Sequence, residues 1–307
     1  MYDETSEGCR PVYAPPWTPL KLVRWLTENF RKHRLPPPHR FEAEQMVAHA
    51  LHISRLDIYL QYDKPCKERE LERVRELYKR RIKREPLAYI LGTCEFWTLQ
   101  LLVGKGVLIP RQDTEALIDT ALETIPDECG DAPYSILELG TGSAAIPLSL
   151  TMERKRLEIF SIETSSPAIH YARLNLNRYR KEIASRQNTI HLIQGDRFKA
   201  VADGNYFDLI ISNPPYIPDD DISGLQSEVS LWEPREALAG GRNGLNFYRY
   251  LKRTAAHFLK IGGVLLFEHG FDQKESIREL FADSPLTYTA SFRDINHKER
   301  GMKLAKL

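Results

Sequence analysis

Asn213, Pro214, Pro215 and Tyr216 end the run FDLIISNPPYIP, in which an apolar, strand-like stretch gives way to an asparagine, two prolines and a tyrosine. The prolines remove two N–H donors and stiffen the loop, leaving the Asn213 side-chain oxygen and the Pro214 carbonyl free to accept hydrogen bonds. Two such acceptors converge on one NH₂ group. An amide or aromatic amine is a poor nucleophile because its lone pair is delocalised. Accepting both its protons draws the nitrogen toward a geometry whose lone pair can point at a methyl donor. Tyr216 is then expected to cover the planar group by stacking. As structure alone, N-P-P reads as a rigid turn with a capping asparagine. Its place at a strand end, where open α/β sheets bind ligands, favours the chemical reading.

A second constellation lies upstream in ILELGTGSAAIPLSL. Gly140 and Gly142 follow a buried strand and precede an apolar helix, where missing Cβ atoms permit a tight turn and close ligand approach. The spacing G-x-G-x-A, spelled by Gly140, Thr141, Gly142, Ser143 and Ala144, fits a dinucleotide fingerprint poorly. Glu138 just before it would repel a phosphate. S-adenosylmethionine has no phosphate but carries a sulfonium, an amine and a ribose, which suit acidic and backbone partners. Glu163, at the end of the next strand, is expected to accept both ribose hydroxyls, and Asp196 in GDRF to accept from the adenine amino group. Any one of these acids also reads as a helix cap or solvated loop residue. Three in register on successive strand ends point to a cofactor site.

The elements that must position these residues are legible as patterns. Helical spacing predicts helices over 18–34, 40–52 and 67–84. EFWTLQLLVGKGVLI at 95–109 alternates, breaks at Gly104-Lys105-Gly106 and resumes, which predicts a β-hairpin. From about residue 114 helices alternate with strands expected at 134–139, 157–162, 190–194, 207–212 and 264–268, the pattern of a parallel sheet. LTYTASF and GMKLAKL at 286–292 and 301–307 are expected to add an antiparallel pair at its end. The fold class is thus α/β, Rossmann-like, with a helical domain over 1–94, a hairpin hinge over 95–112 and a cofactor domain over 113–307.

With 307 residues, 42% apolar and 28% charged, the chain has the makeup of a two-domain globular protein. The net charge of +1 marks no nucleic-acid or membrane binder. Its front is basic, with 18 basic and 13 acidic side chains before residue 95, against 25 and 29 from there on. Cys9, Cys66, Cys94 and Cys129 form no C-x-x-C pair, so neither a zinc cluster nor a disulfide framework is expected. An acidic, proline-containing start and the lack of a long apolar run predict a soluble cytoplasmic protein. The histidines lack metal-ligand spacing; His49 and His52 have no third partner, and His269 is expected as a packed loop histidine. The run Lys79–Arg84 reads as a solvated helix face open to contact with an acidic protein or RNA surface, and Asp219–Asp221 as a helix cap.

Taken together, the segments EPLAYILG at 85–92 with Glu95-Phe96, VLIPRQDTE at 107–115, ELGTGSAAI at 138–146, NPPYIP at 213–218, EPREAL at 233–238 and FEHG at 267–270 resemble the N-x-x-Y amino-methyltransferases. Within that group they resemble the HemK/PrmC protein-(glutamine-N5) methyltransferases, which modify peptide-chain release factors. The resemblance implies a helical substrate-recognition domain, a hairpin hinge and a seven-stranded class I methyltransferase sheet. It implies that Gly140–Ala144, Glu163, Arg197 and Asn213 line S-adenosylmethionine, and that Asn213–Tyr216 hold the glutamine of a GGQ motif. It implies a protein partner; the chain is further expected to be a monomer with no metal, no membrane and no direct nucleic acid.

The chain departs from that pattern in three places. Ala144 stands where a third glycine is usual, adding a methyl beside the cofactor, and Gln112 stands where a proline is usual. Arg197 stands where an aromatic is usual, and its guanidinium is expected to stack on the adenine. Two other functions compete. An adenine-N6 methyltransferase makes the same demands on N-P-P-Y but should carry a basic recognition region, whereas this catalytic half is net acidic. An inactive methyltransferase-like scaffold should have lost the asparagine, a proline or the ribose acid, and all are present.

Overall fold

The computed structural model describes residues 16–127 and 132–307, so Cys9 and Cys129 lie outside the described residues. The chain divides into two compact units, Met1–Leu91 and Gly92–Leu307.

The first unit is helical: α1 (Pro19–Lys32), α2 (His39–Leu51), the single turn α3 (Asp57–Leu60), α4 (Glu68–Ile82) and α5 (Leu87–Leu91). Pro19 starts α1 behind the cap Thr18, whose hydroxyl accepts from Lys21 N. The spacing of Leu22, Leu26 and Phe30 puts them on one face, where they pack with Met46, Val47, Ile58 and Val74. The basic run at the end of α4 is not wholly a solvated face. Arg81 is 1% exposed and donates to both oxygens of Glu42, at 2.9 and 3.2 Å, while Arg80 pairs with Glu85. Glu42 thus draws the Arg81 guanidinium inward, while Arg80 stays exposed with its charge paired.

The second unit opens with a hairpin of β1 (Thr93–Phe96) and β2 (Leu99–Leu102), paired antiparallel with Phe96 opposite Leu99. Its turn is Trp97-Thr98, with Trp97 at φ 55°, and not the Gly104–Gly106 break that the alternation suggested. Those glycines instead pass close to a helix: a Cβ on Gly104 would collide with the Tyr171 hydroxyl, and one on Gly106 with Pro167. The remaining elements are α6 (Glu115–Thr124), β3 (Tyr134–Leu139), α7 (Ala145–Glu153), β4 (Leu157–Glu163), α8 (Ser166–Arg178), α9 (Arg180–Ser185), β5 (Thr189–Gln194), β6 (Phe207–Ser212), α10 (Ser227–Ser230), α11 (Asn246–Phe258), β7 (Leu259–Glu268), α12 (Lys274–Leu280), β8 (Leu286–Arg293) and β9 (Glu299–Lys306).

The strands form one seven-stranded sheet in the order β5-β4-β3-β6-β7-β9-β8. The first five run parallel, and the last two pair antiparallel, as the tail predicted. Period-two alternation splits the core into two layers. Ile136, Leu209, Ile211 and Leu266 pack with Leu117 and Ile118 of α6 and Leu148 of α7. Leu137, Leu139, Ile210 and Phe267 pack with Tyr248 and Leu251 of α11 and Ile277 of α12. Strand order reverses between β3 and β6, which places a crevice at their carboxyl ends.

Candidate active site

Loops from the carboxyl ends of β3, β4, β5 and β6 enclose a cavity of about 340 Å³, within the size range of small-ligand sites. Its wall includes Gly140, Gly142, Glu163, Asp196, Arg197, Asn213 and Pro215. These seven predicted residues therefore meet at one place. Glu138, Thr141, Ser143, Ala144, Pro214 and Tyr216 are not on that wall.

Gly140 and Gly142 both have positive φ, 80° and 57°, and a Cβ on either would meet no atom of the chain. Their backbone thus faces open cavity. Thr141 and Ser143 are buried beneath the loop; the Ser143 carbonyl accepts from Asn175 Nδ2 at 2.9 Å. Ala144 takes φ 66°, and its methyl is buried in the hydrophobic core, so the extra carbon expected beside a cofactor lies elsewhere. Glu138 is fully buried. Thr141 Oγ1 and Ser161 Oγ donate to its Oε2 at 2.5 and 2.7 Å, while Oε1 has no partner, and burial pushes the carboxyl up to about 7.

Glu163 is already engaged. Its Oε2 accepts from Gly142 N at 2.9 Å, and its Oε1 from Thr164 N and Ser165 N at 2.8 and 2.9 Å. A carboxylate offers about four acceptor sites, so roughly one, on Oε2, remains open, one fewer than the expected two-oxygen grip on a diol needs. Asp196 is also taken up locally: Arg197 Nε and Lys199 Nζ each approach it at 2.7 Å, which holds it down at about 2. The Arg197 guanidinium lies 4.3 Å from the centre of the Tyr250 ring, so its stacking partner in the chain is a tyrosine.

At the end of β6, Ser212 Oγ donates to the Leu139 carbonyl at 2.7 Å, tying β6 to β3 just before Asn213. Asn213 Nδ2 donates to Thr114 Oγ1 at 2.9 Å. Among the described residues, neither Asn213 Oδ1 nor the Pro214 carbonyl accepts a hydrogen bond. Tyr216 turns inward instead of covering the cavity: its ring packs against the α11 layer, its hydroxyl donates to Glu268 Oε1 at 3.2 Å, and its carbonyl accepts from Gln273 Nε2 at 2.9 Å. EPREAL follows the loop closely, with Ile217 N donating to the Leu238 carbonyl at 3.0 Å and Gly240 N to the Ile217 carbonyl at 2.8 Å. Its Glu233 clasps Arg111 and the Ile109 N–H, the latter at 3.1 Å.

Thr114, Glu268 and Glu233 were not singled out from the sequence by role, although VLIPRQDTE, FEHG and EPREAL contain them. Asp221 occupies the cap position of a 3₁₀ turn at Ile222–Gly224 but makes no side-chain cap bond, contrary to expectation. His269 is fully buried with Nδ1 2.7 Å from the Gly270 carbonyl, and burial pushes its pKa down. Among the described residues no group of three or more His, Cys, Asp and Glu is arranged to hold a metal ion. No helix there is long and apolar enough to cross a membrane.

A family model for the PrmC N-terminal domain matches residues 21–92, and one for the methyltransferase small domain matches residues 115–230. A release factor glutamine methyltransferase of Geobacter sulfurreducens is 37% identical over 92% of this chain and 95% of its own. Those of Haemophilus influenzae and Escherichia coli are 36% and 33% identical, each over 92% of this chain and 97% of its own. Identity at that level, sustained across both units and nearly the full length of each relative, shows that the chain belongs to the release factor glutamine methyltransferase family.

Proposed function

We propose that this protein transfers a methyl group from S-adenosylmethionine to the side-chain amide nitrogen of a glutamine, in a GGQ motif, of a peptide-chain release factor. The observation that carries the reading is the pair of uncommitted acceptors, Asn213 Oδ1 and the Pro214 carbonyl, at a strand end whose neighbour Pro215 is on the wall of the cavity. Gly140 and Gly142 would admit the cofactor against bare backbone, Glu163 would accept from its ribose with the free site on Oε2, and Asp196 and Arg197 would border its adenine. Glu138 would act from beneath the loop. When bound, the cofactor supplies an electrophilic methyl on a sulfonium. Asn213 and Pro214 accept the two amide protons and aim the nitrogen lone pair; the rigid prolines keep that geometry from relaxing. No side-chain base is required, because the methylated amide loses its extra proton to water.

The helical unit Met1–Leu91 is assigned to recognition of the folded factor, with the match of residues 21–92 to the PrmC N-terminal domain in support. Incubation of the protein with S-adenosylmethionine and a recombinant release factor, followed by mass spectrometry, tests the reading. One added methyl on the glutamine is expected. Methyl transfer to adenine in DNA or RNA, with none to the factor, would overturn it.

A further inference from the structure

Behind Asn213, side chains from separate parts of the sheet meet in a buried polar chain. Asn213 Nδ2 donates to Thr114 Oγ1 at 2.9 Å, and Thr114 closes the turn that leads into α6. The Thr114 hydroxyl lies near the carboxylate of Glu268, at the end of β7, and favours its charged form without a closed hydrogen bond between them. From the loop after β6, the Tyr216 hydroxyl donates to Glu268 Oε1 at 3.2 Å. Glu268 is 1% exposed, and its Oε2 receives no hydrogen bond among the described residues, so an acceptor site remains open. The other groups facing it are Arg300 of β9 and Asp113, paired with each other at 2.9 Å, and Tyr248 of α11, which donates to the Glu268 carbonyl at 2.9 Å.

A carboxylate accepts and cannot donate, so an ionised Glu268 takes the Tyr216 proton on Oε1 and, with Oε2 still open, attracts the proton of the nearby Thr114 hydroxyl. The Thr114 oxygen then has only lone pairs left for Asn213. The amide must present its NH₂ to Thr114 and therefore its oxygen to the cavity. We infer that Thr114 and Glu268 are positioning residues that fix the orientation of the Asn213 amide, so that an acceptor and not a donor meets the substrate. This inference rests on the proposed role of Asn213. A flipped amide would set N–H against N–H and offer the substrate nothing to release its lone pair.

Burial pushes the Glu268 carboxyl up to about 7. Below that pH it gains a proton, becomes a donor, and leaves Thr114 free to give its own proton to Asn213; the order in the chain is lost. The methyl-transfer rate at saturation should therefore fall with decreasing pH, approaching about tenfold per pH unit below 7 for a single essential ionisation.

The test uses the full chain, S-adenosylmethionine and a recombinant release factor in single turnover. Thr114→Val, which keeps shape and removes the hydroxyl, should slow transfer at least about tenfold with cofactor affinity unchanged within about twofold, and Thr114→Ser should restore most of the rate. Glu268→Gln should be slow and lack the acid limb. A folded Thr114→Val that transfers at the wild-type rate overturns the inference; if that variant does not fold, an acid limb persisting in Glu268→Gln does so. Should the wild type methylate no glutamine, the functional reading fails separately, and NMR of the Asn213 side-chain NH₂ decides. Its proton resonances should shift in Glu268→Gln relative to the wild type and stay close to it in Thr114→Ser, and resonances unchanged in Glu268→Gln overturn the inference.

Discussion

Replacing Glu163 by alanine separates what this carboxylate does for the fold from what it does for a ligand. In the protein alone it accepts three backbone N–H groups, from Gly142, Thr164 and Ser165. Two of these belong to the loop entering α8, which is at the surface, where water can take over the acceptor role. The cost to stability is then about 1 kcal/mol, the net worth of an ordinary hydrogen bond. The cost to binding is larger. One acceptor site on Oε2 remains for the cofactor ribose, and a hydrogen bond to a charged group contributes about 1.5 to 3 kcal/mol. Glu163→Ala should therefore weaken S-adenosylmethionine binding roughly 10- to 150-fold by calorimetric titration. Glu163→Gln should fall between, because one oxygen becomes an NH₂ that faces a backbone donor. An affinity for Glu163→Ala within twofold of wild type, in a protein whose melting temperature is nearly unchanged, would refute the ribose assignment.

Three further outcomes are expected. Asn213→Ala should lower the single-turnover rate roughly 100-fold or more, because one of two acceptors is lost and alignment loosens; Asn213→Asp should bind the cofactor at least as well yet react slowly, its charge stabilising the sulfonium ground state. Near-normal rates in Asn213→Ala would make the loop structural. The carboxyl of Glu138 is raised from 4.5 to about 7, so between those values the folded state holds a proton that the unfolded chain has lost, and stability declines as pH rises through the window, on the order of 3 kcal/mol. Glu138→Gln should flatten the melting temperature between pH 5 and 7, leaving the slope that Glu268 contributes; an unchanged pH dependence would contradict the raised value. Removing residues 1–91 should leave cofactor binding intact by calorimetry and abolish methylation of the folded factor, and methylation at normal efficiency by the truncated chain would rule out the recognition role.

The strands carrying the site were legible because each is an apolar run that ends at or just before a chemically distinctive residue, Gly140, Asn213 or Glu268: YSILEL, FDLIIS and VLLFE keep their predicted ends at Leu139, Ser212 and Glu268. The hairpin was misplaced because alternation counts faces and not chain reversal. EFWTLQLL alternates through Trp97-Thr98, and the glycines at 104 and 106 answer a packing demand from Tyr171 and Pro167 that lies more than 60 residues away. Asp196 and Tyr216 show a different limit. Residue type suggested an adenine acceptor and a stacking lid, but Lys199 at i+3 and Arg197 claim the one, and Glu268 claims the hydroxyl of the other.

Which polar residues line the cavity and which stand behind it was nevertheless encoded in strand parity. On β3, Leu137 and Leu139 face the α11 layer, so Glu138 shares the opposite face with Ile136, toward α6 and α7. On β7, Leu265 and Phe267 likewise face α11, so Glu268 falls on the same side as Leu266. These two strands flank β6 in the sheet. The two glutamates therefore approach the end of β6 from one face, the face covered by α6, and Thr114 immediately precedes α6. A threonine at that point can hydrogen-bond to the residue following β6 and lie near the last residue of β7. Period two along the strands, together with one helix start, thus predicts a polar support beneath Asn213. What parity alone could not supply was the order of the strands in the sheet, because that order depends on pairing between segments far apart in sequence, such as Leu139 beside Ser212.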